Sequence, residues 1–176
     1  GKTIYVSDWA SKCVLVHSYP RGSTAGHAPA VRIPVGEHPN QIAVHPSDAR
    51  VFVACASTNS VSVIDGKTNE VVETIGTSLF PKAPEGSTPD ALALSPDGKT
   101  LYVANADNNC IAVIDVATPR RSQVKGFVPT GWYPTAGAVT PDGTSLLVGV
   151  GKGNGTRPNP IPEGERKGGK ARPFPY

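Results

Sequence analysis

The stretch Gly86-Ser-Thr-Pro89-Asp-Ala-Leu-Ala-Leu-Ser-Pro96 decides the fold, because the chain says it three times. Gly36-Glu-His-Pro39-Asn-Gln-Ile-Ala-Val-His-Pro46 precedes it by 50 residues, and Gly131-Trp-Tyr-Pro134-Thr-Ala-Gly-Ala-Val-Thr-Pro141 follows it by 45. Glycine, first proline, alanine and closing proline keep their offsets in every copy. A period in this range marks a repeat architecture whose units stack to bury a shared core. Most residues are then scaffold, and departures from the repeat become the candidates for chemistry.

Working outward, Val51-Phe-Val-Ala54 aligns with Leu101-Tyr-Val-Ala104 and Leu146-Leu-Val-Gly149, and Ser60-Val-Ser-Val-Ile-Asp65 aligns with Cys110-Ile-Ala-Val-Ile-Asp115. At the chain start, Ile4-Tyr-Val-Ser7 and Cys13-Val-Leu-Val-His-Ser18 keep the same register. Short β-branched and aromatic runs between turn residues read as strands. Ser95-Pro-Asp-Gly-Lys99 and Thr140-Pro-Asp-Gly-Thr144 are tight turns, with proline presetting φ and glycine taking positive φ. One repeat therefore predicts strands at Asn40–His45, Arg50–Ala54, Ser60–Asp65 and Glu70–Ile75, and no segment carries helical periodicity. The fold class is all-β: a β-propeller of four-stranded antiparallel blades. Continuous apolar runs fit inner strands buried on both faces.

The blades fall at 1–35 (partial), 36–80 and 86–130 (complete) and 131–150 (partial), before a Gly/Pro/basic stretch at 151–176. Roughly three and a third blades do not close a ring, since propellers take about four to eight. The chain has no methionine. The expectation is a piece of a longer polypeptide, from a seven-bladed ring, or a partial ring completed by a second copy. Either way the remaining blades are expected partners, packing at Ile4–Val6 and Leu146–Val148, where incomplete blades leave sheet edges and an apolar face.

A net charge of +3 is too small to imply nucleic acid, and nothing approaches a transmembrane span. Three cysteines form no disulfide framework. Cys13 and Cys110 hold one repeat position two blades apart, and all three read as small buried hydrophobes. No CxxC pair or His/Cys cluster suggests a metal, and no Cys-x-x-Cys-His suggests haem. No cofactor is expected.

Leu101-Tyr-Val-Ala-Asn-Ala-Asp-Asn-Asn-Cys-Ile-Ala-Val-Ile-Asp115, led in by Ser95-Pro-Asp-Gly-Lys-Thr100, resembles the YVTN family of bacterial and archaeal propellers, the YncE-like and surface-layer types. The signature appears as Tyr102-Val-Ala-Asn105 and Tyr5-Val-Ser-Asp8, and degraded as Phe52-Val-Ala-Cys55. Phe80-Pro-Lys-Ala-Pro-Glu-Gly-Ser-Thr-Pro89 and Gly151-Lys-Gly-Asn-Gly-Thr-Arg-Pro-Asn-Pro160 are similar to proteins that join such a propeller to a phosphoesterase of the alkaline-phosphatase superfamily. The resemblance implies a periplasmic or extracellular location and a fused phosphoesterase as partner. None of that enzyme's motifs occurs in these residues.

The fourth-to-first and second-to-third connections share one propeller face and collect the irregular sequence. Variable loops on a rigid scaffold are the default binding surface. His38, Thr88 and Tyr133 sit at one offset, just before the repeat proline. With Glu37 and Trp132 beside them they are the candidate ligand-binding residues. Lys152, Asn154 and Arg157, in the basic stretch, are the candidate partner contacts. Asp65 and Asp115 precede turns and are expected to cap them. His45 and His17 sit at repeat positions held elsewhere by Ser95 and Ile114 and are expected to be structural. Asn105, Asp107, Asn108 and Asn109 suggest a hairpin turn rather than a calcium loop. The leading functional expectation is a non-catalytic binding platform with no catalytic residue in this segment. The alternative is a lactonase-type hydrolase with its site at the channel mouth.

Overall fold

The computed structural model describes residues 3–18, 30–81 and 83–152. Thirteen strands occupy them in four sheets. The first sheet holds β1 (Thr3–Asp8), β2 (Cys13–Ser18) and β3 (Val31–Pro34). The second holds β4 (Pro39–Val44), β5 (Arg50–Cys55), β6 (Ser60–Asp65) and β7 (Glu70–Gly76). The third holds β8 (Pro89–Leu94), β9 (Thr100–Asn105), β10 (Cys110–Asp115) and β11 (Gln123–Pro129), and the fourth holds β12 (Pro134–Val139) and β13 (Leu146–Val150). Within each sheet every strand pairs antiparallel with its sequence neighbour, and among the described residues a single 3₁₀ turn, at Ala56–Thr58, interrupts the β structure. These are blades of a β-propeller, with β8 lying beside both β4 and β12.

Alternation along each inner strand explains how blades stack. Phe52 and Ala54 on one face of β5 join Val61, Val63, Leu101, Val103, Ala112 and Ile114 in the core between the second and third blades. Val51, Val53 and Cys55, on the opposite face, meet Val14, Val16 and Ile33 of the first blade. A period of two thus places consecutive residues in different cores, which is why every residue of β5 is buried. Leu146 and Val148 pack inward against Ala91, Ala104 and Ile111. The same alternation divides Ile4–Val6 and Leu146–Val148, the segments expected to pack against further blades. Alternation turns Tyr5, Leu146 and Val148 into cores and leaves Ile4, Val6, Leu147 and Val150 outside.

The three cysteines are buried and free. Asp65 and Asp115 accept the backbone N–H groups of Lys67 (2.9 Å) and Ala117 (3.0 Å), which is turn capping. His45 replaces the small hydroxyl residue found at Ser95 and Thr140, and its ring is buried. Its Nδ1 accepts N–H bonds from Ser47 (3.3 Å) and Asp48 (3.0 Å), so the proton resides on Nε2, which donates to the Gly98 carbonyl of the next blade at 3.0 Å. As an acceptor Nδ1 carries no proton, so its 3.1 Å approach to Asp48 Oδ1 is not an ion pair. Arg50, also buried, donates to the Val116 carbonyl at 2.7 Å and grips Asp48. Burial pushes the Asp48 carboxyl up, but the hydrogen bonds and charge of Arg50 hold it below its ordinary value. No helix among the described residues is long and apolar enough to cross a membrane.

Candidate functional site at the channel mouth

In the second, third and fourth blades the first strand begins with proline, which has no N–H to pair, and each shows a register break just after it, at Pro39/Ile42, Pro89/Ala91 and Pro134/Ala136. Bulges of this kind re-aim a side chain and recur beside functional sites. The residue before each proline takes the left-handed conformation: φ is 52° at His38, 50° at Thr88 and 59° at Tyr133. For β-branched Thr88 that is a strained backbone, costing about 1–3 kcal/mol. The carbonyls of all three accept an N–H from their own blade's second-to-third connection: Ala56 to His38 (3.1 Å), Ala106 to Thr88 (2.9 Å) and Gly151 to Tyr133 (2.7 Å).

A second left-handed set holds these loops from the preceding blade. Lys12, Asn59 and Asn109 have φ of 53°, 47° and 52°. Their carbonyls accept N–H groups from Val35, Thr77 and Thr130, which lock the strand leaving that blade. Their side chains reach forward. Lys12 pairs with Glu37, Asn59 Oδ1 accepts from Gly86 (3.1 Å) and Ser87 (2.7 Å), and Asn109 Oδ1 accepts from Tyr133 N (2.8 Å). These are latches between blades.

The latches sort the candidate residues. Glu37 is drawn to Lys12, whose hydrogen bond and charge pull its carboxyl below the ordinary value. His38 stacks on Trp9 with ring centroids 3.9 Å apart, and its Nδ1 lies 2.5 Å from Ser57 Oγ. Thr88 Oγ1 donates to Asp107 Oδ2. Asn40 Nδ2 donates to Asp90 Oδ1 across the first strands of adjacent blades. Tyr133, Trp132, Asp107, Asn109, Ala106 and Lys152 line a cavity of about 160 Å³. Lys152 Nζ sits over the Tyr133 ring, 4.3 Å from its centroid.

Burial, then the charge of Asp107, raises the Asp90 carboxyl above its ordinary value, and burial with the Asp107 and Asp90 charges raises the Tyr133 phenol. The phenol therefore remains a proton donor at neutral pH. A carboxyl raised by folding contributes stability fully present below its unfolded pKa and lost as pH rises through the folded value. Asp90→Asn keeps an acceptor for Asn40 and removes the charge. We expect it to stabilise the protein at pH 7.5, and that gain to vanish near pH 3.5. Urea midpoints at the two pH values check this, and a loss of stability at pH 7.5 would refute it.

The structure thus brings Thr88, Tyr133 and Trp132 into one cluster with Asp107, while Glu37 and His38 belong to a neighbouring group with Trp9. Lys152 lies on Tyr133, at the site itself, while Asn154 and Arg157 fall outside the described residues. Asp90 and Asn40 were missed by the reading of the sequence, Trp9 was placed on the binding face without a role, and Asp107 was taken as turn. The signal that could have found Asp90 is its bulged position after the repeat proline. Among the described residues no group of three or more His, Cys, Asp or Glu side chains is placed to hold a metal ion.

Among solved structures, the chain is similar to two proteins named as candidate 6-phosphogluconolactonases. The one from Bacteroides uniformis has a TM-score of 0.74 at 23% identity, covering 85% of this chain and 44% of that one. The one from Bacteroides fragilis has 0.73 at 18%, covering 85% and 45%. The RRP9 WD40 repeats also match, with a TM-score of 0.67 at 13% identity over 84% of this chain and 44% of that one. At these identities the likeness shows the fold alone. The chain spans a little under half the length of these structures. No curated protein matches it. The family model "Lactonase, 7-bladed beta-propeller" matches residues 1–155, and the chain belongs to that family.

Proposed function

We propose that this propeller hydrolyses a lactone at its channel mouth. Membership of the lactonase family across residues 1–155 carries the reading, and it favours the hydrolase over the non-catalytic platform. The channel-mouth chemistry supports it. The Asp107 carboxylate, held by Thr88, takes a proton from water as the water oxygen attacks the lactone carbonyl carbon. The oxyanion so formed accepts hydrogen bonds from the Tyr133 phenol and the Lys152 ammonium. Collapse breaks the bond from carbonyl carbon to ring oxygen, which takes the proton back from Asp107 and leaves a hydroxy acid. Asp90, with its raised carboxyl, is the second candidate for proton transfer.

The test is acid release from D-gluconolactone above the spontaneous rate. Asp107→Asn should lower kcat/KM by about 10²-fold or more, and Tyr133→Phe by about tenfold to a hundredfold, with circular dichroism unchanged. Wild-type protein with no turnover would return the platform reading. The YVTN-type identity, the periplasmic or extracellular location and a fused phosphoesterase rest on sequence resemblance alone and remain part of the proposal.

A further inference from the structure

The channel-mouth face holds two tryptophans, Trp9 and Trp132, and the chain has no others. Both are more than half exposed, at 57% and 53%. Exposing indole to water is unfavourable, and here both rings occur beside groups of hydrogen-bonding side chains. Trp9 stands with His38, whose ring covers one indole face, and Trp132 stands with Tyr133, Asp107 and Asn109. Flat aromatic faces receive the C–H faces of saturated rings. Carboxylate and amide groups accept from neighbouring hydroxyls. Asn40, Asp90, Thr88 and Asp107 supply that second chemistry on adjacent blades. Together these are the parts of a site for a polyhydroxylated ring.

The charges at this face choose between forms of such a ring. Asp90 and Asp107 are near enough for the charge of one to oppose ionisation of the other. Of the described cations that reach this face, Lys12 is engaged by Glu37 and Arg32 by the Ser11 carbonyl (3.1 Å), and Lys152, over the Tyr133 ring, is committed to the oxyanion at the carbonyl end of the substrate ring. A phosphate brought here would meet two carboxylates, and like charges set together in an interface disfavour the wrong partner.

We propose that the channel mouth selects an uncharged polyhydroxylated ring, a neutral sugar lactone, over its phosphorylated counterpart. The inference takes the position of the site from the hydrolase reading and adds its substrate class. It sets this chain apart from relatives named for a phosphorylated lactone.

Two stable rings differing only in the phosphate, anhydroglucitol and anhydroglucitol 6-phosphate, test it through tryptophan fluorescence of the whole protein. Trp9→Phe and Trp132→Phe show which indole reports. The neutral ring should bind at least about tenfold tighter. Asp107→Asn should narrow that gap, and Asp90→Asn serves if the first variant fails to fold. Equal or tighter binding of the phosphorylated ring overturns the inference, as does absence of binding by either. Turnover of D-gluconolactone is scored separately. Binding of the neutral ring without turnover sinks the hydrolase and leaves the selectivity, whereas faster turnover of 6-phosphogluconolactone does the reverse.

Discussion

Gly98→Ala is expected to destabilise the protein by about 3 kcal/mol, whereas Gly143→Ala should cost about 1–2. The two glycines close equivalent Pro-Asp-Gly turns and share a φ of +72°, so the left-handed penalty for alanine is common to both. Their surroundings differ. A Cβ at Gly98 would stand 2.3 Å from His45 Nε2 and 2.6 Å from Cε1, whereas at Gly143 the nearest atom is Pro96 Cδ at 3.7 Å. The imidazole cannot swing aside without abandoning the bonds at both of its nitrogens in a buried setting. For a domain of this size the larger loss lowers Tm by about 6–12 °C. Thermal melts of the two variants, with His45→Ser/Gly98→Ala to measure the coupling, decide the matter. Equal losses at the two glycines would show that the ring exerts no steric hold.

Asn59→Ala should cost about 3 kcal/mol through one side chain that makes three hydrogen bonds. Its Oδ1 accepts from Gly86 and Ser87, and its Nδ2 donates to the Pro84 carbonyl at 3.0 Å. Ser87 is 2% exposed, so its orphaned N–H stays out of water and incurs the full desolvation cost. Alanine also fits poorly at a φ of 47°. Asn59→Gly separates the two causes, because it removes the bonds and keeps the backbone at ease. Hydrogen exchange at Gly86 and Ser87 should quicken in both variants. If glycine restored wild-type stability, strain rather than latching would be the whole effect.

The propeller was legible because its signal is repetition, and repetition does not depend on getting any single boundary right. Asn40–His45 was expected and Pro39–Val44 is found, a shift made by a proline that starts a strand without donating to it. Offset alone also aligned His38, Thr88 and Tyr133, since equivalent loops of stacked blades meet on one face. Asp90, Asp107 and Trp9 were harder. Their roles arise from neighbours in other blades or connections, such as Asn40, Thr88 and His38, and a repeat alignment discards that information. Asn59 and Asn109 were visible as equivalent positions, yet a polar residue ending a hairpin reads as turn chemistry until its side chain is seen crossing to the next blade. The platform reading rested on the same habit, treating adherence to the repeat as a sign of inert scaffold, and family membership favours the alternative.

The latches at Lys12, Asn59 and Asn109 have a direction. Each belongs to one blade and grips the loop that begins the next. The natural unit for recombining or transplanting sequence is therefore not the blade between Gly36 and Gly86. It is the offset segment running from one latch to the next, residues 59–108, which carries its own clasp and the surface that the following clasp must fit. Chimeras joined at the latches should inherit a matched seam, whereas chimeras joined at the glycines would pair each clasp with a foreign loop.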